Sequence, residues 1–459
     1  MADASCVRGI ARIALISRIT VFILQLCFNH FLDDYDSSSS LPLSTEESTA
    51  DRGIAILLNG FHKWDSVYFL KIADEGYKYE QYMAFFPLYP MLSRAVTSLV
   101  HPCTGGLVQF SNVLLLLSCT VSWAAFIIAS VHLYKLGLFV VKDNVVAYIA
   151  AVLFCINPAS VFFSSVYTES LFACCLFCGL YHLVKAKRLS QWLLSSIVLS
   201  LGTATRSNGI LSCGFVTHSI LTSTAGEMLT KKESKKSVYQ ILRAFMQTMA
   251  NLVICNFVVL LPFMLFQWYG YRLYCRLPVS GYFTTMDLPP WCNKSLPMPY
   301  SYIQNHYWNV GFLNYFELKQ IPNFILASPM ILLSVLSITM YILNQNGAKA
   351  AKTLGLLRSI TNSSGKSGVY CPAVFVYIAH LTFLTAFGVT SMHVQVVTRM
   401  IASSSPVIYW FAAECVINQF NTPQQGPYLL PPLGSTVIGY FVLYSVLGVV
   451  LHCNFYPWT

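Results

Sequence analysis

The chain has 459 residues, of which 56% are hydrophobic and only 10% charged, and its mean hydropathy is +0.58. A soluble domain carries roughly 25% charged residues because its surface faces water, so 18 acids and 28 bases cannot cover a soluble globule of this length. The net charge of +10 is scattered between apolar runs rather than gathered into a phosphate-tracking stripe, which excludes a nucleic-acid partner. The composition is that of a polytopic membrane protein, all-α by the bilayer's demand that every backbone polar group be satisfied internally.

A spanning helix needs about 20 mainly apolar residues. The first such run, 10–31, follows Arg8 and Arg12 and lacks an Ala-x-Ala cleavage site, so it reads as a retained signal anchor. Further runs lie near 108–134, 143–157, 166–184, 190–204, 208–224, 243–268, 322–344, 369–391, 400–419 and 433–453, about eleven spans in all. The segment 84–100 is apolar but punctuated by proline, and is expected to enter the membrane only partway.

Short loops that keep Lys and Arg mark the cytosolic side. With the N-terminus cytosolic, alternate loops hold Lys135 and Lys142, then Lys185, Lys187 and Arg188, then Lys231, Lys232, Lys235 and Lys236, then Lys349, Lys352, Arg358 and Lys366. The opposite side receives 32–83, 157–165, 205–207, the long loop 269–321, and 393–399. Every cluster with chemical potential falls in that second set.

The first cluster is His62-Lys63-Trp64-Asp65-Ser66, opening a stretch in which Val67, Phe69, Leu70 and Ile72 recur at near-helical spacing. Asp at a helix start is first of all an N-cap. A carboxylate beside Trp64 at the start of an interfacial amphipathic helix is also placed to act as general base toward a sugar hydroxyl. Ala84-Phe85-Phe86-Pro87-Leu88-Tyr89-Pro90 reads either as an interfacial aromatic anchor or as a substrate contact. The second cluster runs from the Asn157-Pro158 break to Tyr167-Thr168-Glu169-Ser170. An acid inside an apolar run is a functional-site hypothesis by default, and Glu169 has Arg206 as a suitable partner. Arg206 is equally suited to hold a phosphate.

Asn305, His306 and Trp308 belong to a third cluster whose mix of amide, imidazole and aromatic groups suits sugar binding, although Trp and Tyr also anchor membrane interfaces. The fourth, 392–399, puts His393 and Arg399 at the start of a span. The acidic pair Asp33-Asp34 lies in a Ser-rich loop and reads as merely solvated. Among 15 cysteines, Cys119, Cys155, Cys174, Cys175, Cys178 and Cys255 lie in apolar runs, where Cys is a small hydrophobe. Cys103, Cys275 and Cys292 fall in candidate loops, and their pairing is left open. No Walker loop, GxGxxG, Asp-x-Asp, zinc spacing or GxSxG elbow occurs, so no metal or nucleotide site is expected.

Four stretches together resemble the GPI mannosyltransferase 2, or phosphatidylinositol-glycan class V, family: KWDSVYFLKIADEGY with AFFPLYP, NPASVFFSSVYTESLF, QNHYWNVGFLNYFELKQIPNF, and HVQVVTRMIASSSPVIYWF. They follow family order from residue 61 to about 411. The family commonly has Arg where Lys63 stands and often His where Tyr68 stands, which weakens both as required ligands. The resemblance implies a GT-C-like helical bundle, 1–459 as one membrane-embedded glycosyltransferase domain, in the endoplasmic-reticulum membrane with its catalytic face luminal. It implies dolichyl phosphate mannose as donor and mannosylated glucosaminyl-phosphatidylinositol as acceptor, with no cofactor and with room for a small accessory membrane subunit. The second, α1,6-linked mannose would be added with inversion. Asp65 would be the base; Arg206 and Arg399, then His306, would hold the phosphate; Trp64, Glu169, Asn305, Trp308 and His393 would line the substrate site. A transporter or lipid scramblase with Glu169 and Arg206 on a polar path is the competing reading, but no inverted repeat is visible. A noncatalytic subunit of a glycosylation complex is the third.

Overall fold

The computed structural model describes residues 3–35, 48–230, 238–276, 288–356, 368–421 and 433–458. The sequon at Asn362 and the bases Lys231, Lys232, Lys235, Lys236, Arg358 and Lys366 lie outside the described residues. Every regular element described is helical. In chain order these are α1 (Ala4–Phe31), α2 (Thr49–Leu58), α3 (Ser66–Glu75), α4 (Leu88–Val100), α5 (Phe110–Val140), α6 (Asn144–Cys155), α7 (Glu169–Leu183), α8 (Leu189–Thr205) and α9 (Ser212–Thr230). They continue with α10 (Val238–Tyr271), α11 (Pro299–Trp308), α12 (Ile321–Leu343), α13 (Gln345–Lys352), α14 (Phe375–Ser391), α15 (Val397–Ser404), α16 (Pro406–Asn421) and α17 (Leu433–Cys453).

Among the described residues, α1, α5, α10, α12, α14 and α17 are long and apolar enough to cross a bilayer, and α15 with α16 makes a seventh candidate bent by 79°. The eleven expected spans are therefore not reproduced. The apolar runs at 143–157 and 166–184 became α6 and α7, of 12 and 15 residues, too short to cross unaided. Asn157-Pro158 breaks the chain between them, and α7 is buried nearly all round against α5 and α8. Hydrophobicity on every face here signals a core helix rather than a lipid-facing one.

Local chemistry sets the helix limits. Asp3 caps α1 by accepting from the Ser5 amide at 3.0 Å, and Asp143 caps α6 by accepting from Val145 and Val146. Ser48 and Asp51 form a reciprocal capping box at α2. The α15–α16 bend falls at Ser405-Pro406, where Ser405 is extended (φ −114°, ψ 111°) because a residue before proline is pushed out of the helical region. Pro87 opens α4, but Phe86 and Tyr89 are buried in the bundle, and the Tyr89 hydroxyl meets Ser118 O at 3.0 Å and Ser122 Oγ at 2.9 Å. Tyr89 is thus a packed core group.

Candidate active site

Trp64 takes φ +58°, left-handed backbone that costs a bulky residue roughly 1–2 kcal/mol. The turn it makes aims Asp65 away from its own helix. Asp65 occupies the N-cap position of α3, yet its carboxylate makes no capping bond. It accepts instead from Arg399 of α15, Nη2 to Oδ2 at 3.0 Å. The expected N-cap role is replaced by a tertiary ion pair.

Arg399 Nη1 also lies 3.8 Å from Glu169 Oε1 at the start of α7, and Arg206 forms an ion pair with the same oxygen. Arg206 Nη1 donates further to Thr168 Oγ1 at 3.0 Å. Two carboxylates and two guanidiniums thus form one chain, Asp65–Arg399–Glu169–Arg206, with no net charge. Neutrality and mutual hydrogen bonding lower the desolvation cost of burying four ions. Burial is graded along it: Glu169 is fully covered, both arginines are 16% exposed, and Asp65 is 33% exposed. Of the four, Asp65 is the most open to solvent.

The frame around this chain is aromatic and hydroxylic. Tyr167 accepts from the Asp65 amide at 3.0 Å and donates to Lys63 O at 3.4 Å, fixing the turn from below. The Arg399 guanidinium lies over the rings of Phe162 and Tyr167, at 5.0 and 5.5 Å from their centroids. One turn beyond Asp65, Tyr68 stacks on Phe85 at 4.8 Å, and Trp308 meets both edge-on at 6.4 and 6.0 Å. Burial, and then the Asp65 charge, hold the Tyr68 phenol above its usual range. That aromatic wall gives a sugar ring an apolar face beside the carboxylate.

Arg206 ends α8 in extended backbone (φ −149°, ψ 147°), and the turn Ser207–Leu211 folds back against that helix. Gly209 is required there: a Cβ would meet the Thr203 backbone at 2.5 Å. Asn208 donates to Ser404 Oγ at 3.0 Å and Ser207 bonds the Tyr300 hydroxyl at 2.7 Å, tying the Arg206 turn to α15 and α11.

Of the residues singled out in the sequence, Trp64, Glu169, Arg206, Trp308 and Arg399 converge on Asp65. Asn305, His306 and His393 make their contacts elsewhere. Asn305 donates to Val310 O at 3.2 Å, His306 stacks on Tyr302 at 5.2 Å, and His393 lies 2.5 Å from Trp308 O while stacking on Tyr315 at 4.7 Å. His393 thus touches the backbone at the C-terminal end of α11, where Trp308 stands, and not the Asp65 cluster.

Four charged residues, Asp34, Lys63, Arg18 and Glu80, carry structure that the sequence reading missed. Asp34 is not merely solvated: it accepts from Lys63 Nζ at 2.7 Å, and that lysine is 1% exposed. Arg18, fully buried in α1, donates to Ser160 O and Ser164 Oγ at 2.8 Å and to Ser160 Oγ at 2.6 Å, holding the broken segment that leads to Glu169. Trp291 donates to Glu80 Oε1 at 2.6 Å beside a Cys275–Cys292 disulfide, and Tyr274 donates to Tyr77 O at 2.8 Å. The loop after α10 is thereby stitched to the segment after α3, while Cys103 is free.

A multi-helix membrane protein that converges four sequence-distant segments on a carboxylate, two guanidiniums and an aromatic wall is built as a membrane-embedded glycosyltransferase. Residues 7–459 match the family described as Mannosyltransferase (PIG-V), and the chain belongs to that family. It is 35% identical to the GPI alpha-1,6-mannosyltransferase 2 of Cricetulus griseus and 34% identical to that of Homo sapiens, with 98% of each chain covered. It is 31% identical to the GPI mannosyltransferase 2 of Drosophila melanogaster, covering 98% of this chain and 99% of that one.

Proposed function

We propose that the chain adds the α1,6-linked second mannose of the GPI precursor, taking it from dolichyl phosphate mannose in one inverting displacement. The observation that carries this reading is the Asp65–Arg399 contact, a base and a phosphate-binding cation held 3.0 Å apart. Arg399 engages Oδ2, so Oδ1 is the oxygen that takes the proton from the acceptor 6-hydroxyl. That hydroxyl oxygen forms the bond to the anomeric carbon. The bond from that carbon to the phosphate oxygen breaks, and its electron pair leaves with dolichyl phosphate. Displacement on the face opposite the β-linked phosphate leaves the α product.

The ion chain couples these events. As the proton reaches Asp65, its carboxylate loses its charge and releases its hold on Arg399. The guanidinium then turns its attraction to the phosphate, which is gaining negative charge. Arg206 supports the same phosphate through Nη2 and Nε, since Nη1 makes its contacts to Thr168 and Glu169. Trp308, Tyr68 and Trp64 offer the sugar an apolar surface.

Two lipid-borne substrates call for a site that opens at the membrane surface. The Cys275–Cys292 bridge favours a luminal, oxidising face in the endoplasmic reticulum for the loop stitched to the Asp65 segment. Membranes containing this chain alone, given dolichyl phosphate mannose and mannosylated glucosaminyl-phosphatidylinositol, are expected to form the α1,6-linked product. Transfer that appears only with a second subunit would show that the chain needs an accessory partner; a product of other linkage would overturn the reading.

A further inference from the structure

The residues after α17 reach back to the candidate base. Phe455 packs its ring on Trp64 at 5.7 Å and lies 4.4 Å beneath the ammonium of Lys63. Phe455 is 2% exposed and, like Trp64, takes left-handed backbone, φ +57°. Tyr35 donates its amide to Asn454 O at 2.9 Å and packs on Tyr456 at 5.2 Å, while Asp34 next to it holds Lys63. Trp458 packs on Tyr444 at 5.3 Å, fixing the segment to α17. Lys63 and Trp64 are thus gripped from one side by the end of α1 and from the other by residues 454–458, and Asp65 follows them directly.

We infer that Phe455, with the buried Lys63–Asp34 pair, is a positioning residue that holds Trp64 in left-handed backbone and so keeps Asp65 aimed at the reacting hydroxyl. Left-handed backbone is disfavoured for tryptophan and persists only where its surroundings over-determine it. Tyr167 holds the turn from one side through the Asp65 amide and Lys63 O, and the ring of Phe455, itself held under the Lys63 ammonium, completes those surroundings on the other. Lys63 touches Asp34 and Phe455 and is covered, so it acts on the turn and not on substrate. The inference rests on reading Asp65 as the base.

The test uses the full chain in membranes at matched abundance. Phe455→Gly removes the ring while keeping φ +57° unstrained, and Phe455→Tyr keeps the ring. A misaimed base lowers turnover with little change in KM for either lipid. The expected loss in kcat for Phe455→Gly is about tenfold to a hundredfold, the scale of a 1 Å misplacement. Phe455→Tyr, which keeps the ring, should keep turnover near wild type; the kcat-against-KM split and the Trp64→Gly background separate positioning from mere space-filling. Glycine at 64 adopts the turn without help, so Phe455→Gly should cost far less on a Trp64→Gly background than on wild type. Turnover of Phe455→Gly equal to wild type, a loss confined to KM, or full additivity with Trp64→Gly each overturns the inference. Activity retained by Asp65→Asn would instead overturn the base assignment, whatever Phe455 does.

Discussion

Arg399 reaches across 334 residues of sequence to hold Asp65 at 3.0 Å, and the same guanidinium lies 3.8 Å from Glu169. The carboxylate that faces solvent and the one that does not are therefore read by a single cation. Any change in charge at Asp65 is felt at Glu169 and, through it, at Arg206. The arrangement makes the four residues a unit whose members do not substitute for one another.

The first consequence concerns the proton. Asp65→Asn keeps an oxygen that can accept from Arg399, so the bundle should remain folded and inserted. It removes the group that takes the proton, which should cost roughly 10²–10⁴-fold in transfer rate. Transfer measured in membranes at equal abundance checks this, and a rate near wild type would remove Asp65 from the mechanism.

The members of this unit were legible because ionisable groups in apolar runs are conspicuous; their connections were not. Asp65, Glu169, Arg206 and Arg399 all stand beside or inside apolar stretches and attract suspicion by the same rule. Arg18 meets that rule equally, and applying it to the first span would have found it. Its partner Ser160 lies 142 residues away and gives no local sign. Lys63 and Asp34 are 29 residues apart, in a loop whose composition looks solvated, so their burial follows only from packing. The expected count of about eleven spans is not reproduced for a related reason. Periodicity cannot tell a helix wrapped by protein from one wrapped by lipid, and α6 and α7 are wrapped by protein. Phe455 gave no signal in the sequence, because its partner Trp64 lies far away along the chain.

His62 supplies a pH dependence. Burial, and then the Lys63 charge, push its imidazole down to about 4. A histidine with a depressed folded-state value is neutral when folded, while the unfolded chain binds the proton near 6.5. Stability is then full above about pH 6.5 and falls as pH drops toward 4, because the unfolded state binds more protons. Between pH 6.5 and 5 the loss attributable to His62 is about 2 kcal/mol at most. Melting in detergent over that range should be steeper for wild type than for His62→Asn. Equal slopes would mean that the imidazole is hydrated in the folded protein.

The sidedness of the loop after α10 can be read without an activity assay. Asn293 of the sequon Asn293-Lys294-Ser295 is exposed at the end of the turn Pro290–Asn293, beside the Cys275–Cys292 bridge. Peptide-N-glycosidase should therefore shift the gel mobility of the wild-type chain and leave Asn293→Gln unmoved. Cys103 should react with a maleimide in unreduced, denatured protein, whereas Cys275 and Cys292 should react only after reduction. Cys275 found alkylated without reductant, together with an unglycosylated Asn293, would put this loop in the cytosol and reverse the proposed orientation.

Glu169 and Arg206 decide between holding the fold and holding the donor. Glu169 is fully covered, so removing Arg206 alone leaves its carboxylate with the more distant Arg399, 3.8 Å away, and the neutral Thr168 hydroxyl at 3.5 Å. Stranding a buried charge costs about 3–5 kcal/mol. Arg206→Ala and Glu169→Ala should each lower melting strongly, and the double change should recover much of that loss. Stability alone, however, does not report on phosphate. If Arg206 also binds the donor, the double variant regains stability but not transfer, and its KM for dolichyl phosphate mannose rises. Arg206→Lys on the wild-type background should keep part of the activity, since lysine supplies charge without the planar fork. A double variant that regains both stability and transfer would leave Arg399 as the cation that meets the phosphate, with Arg206 serving only to neutralise Glu169.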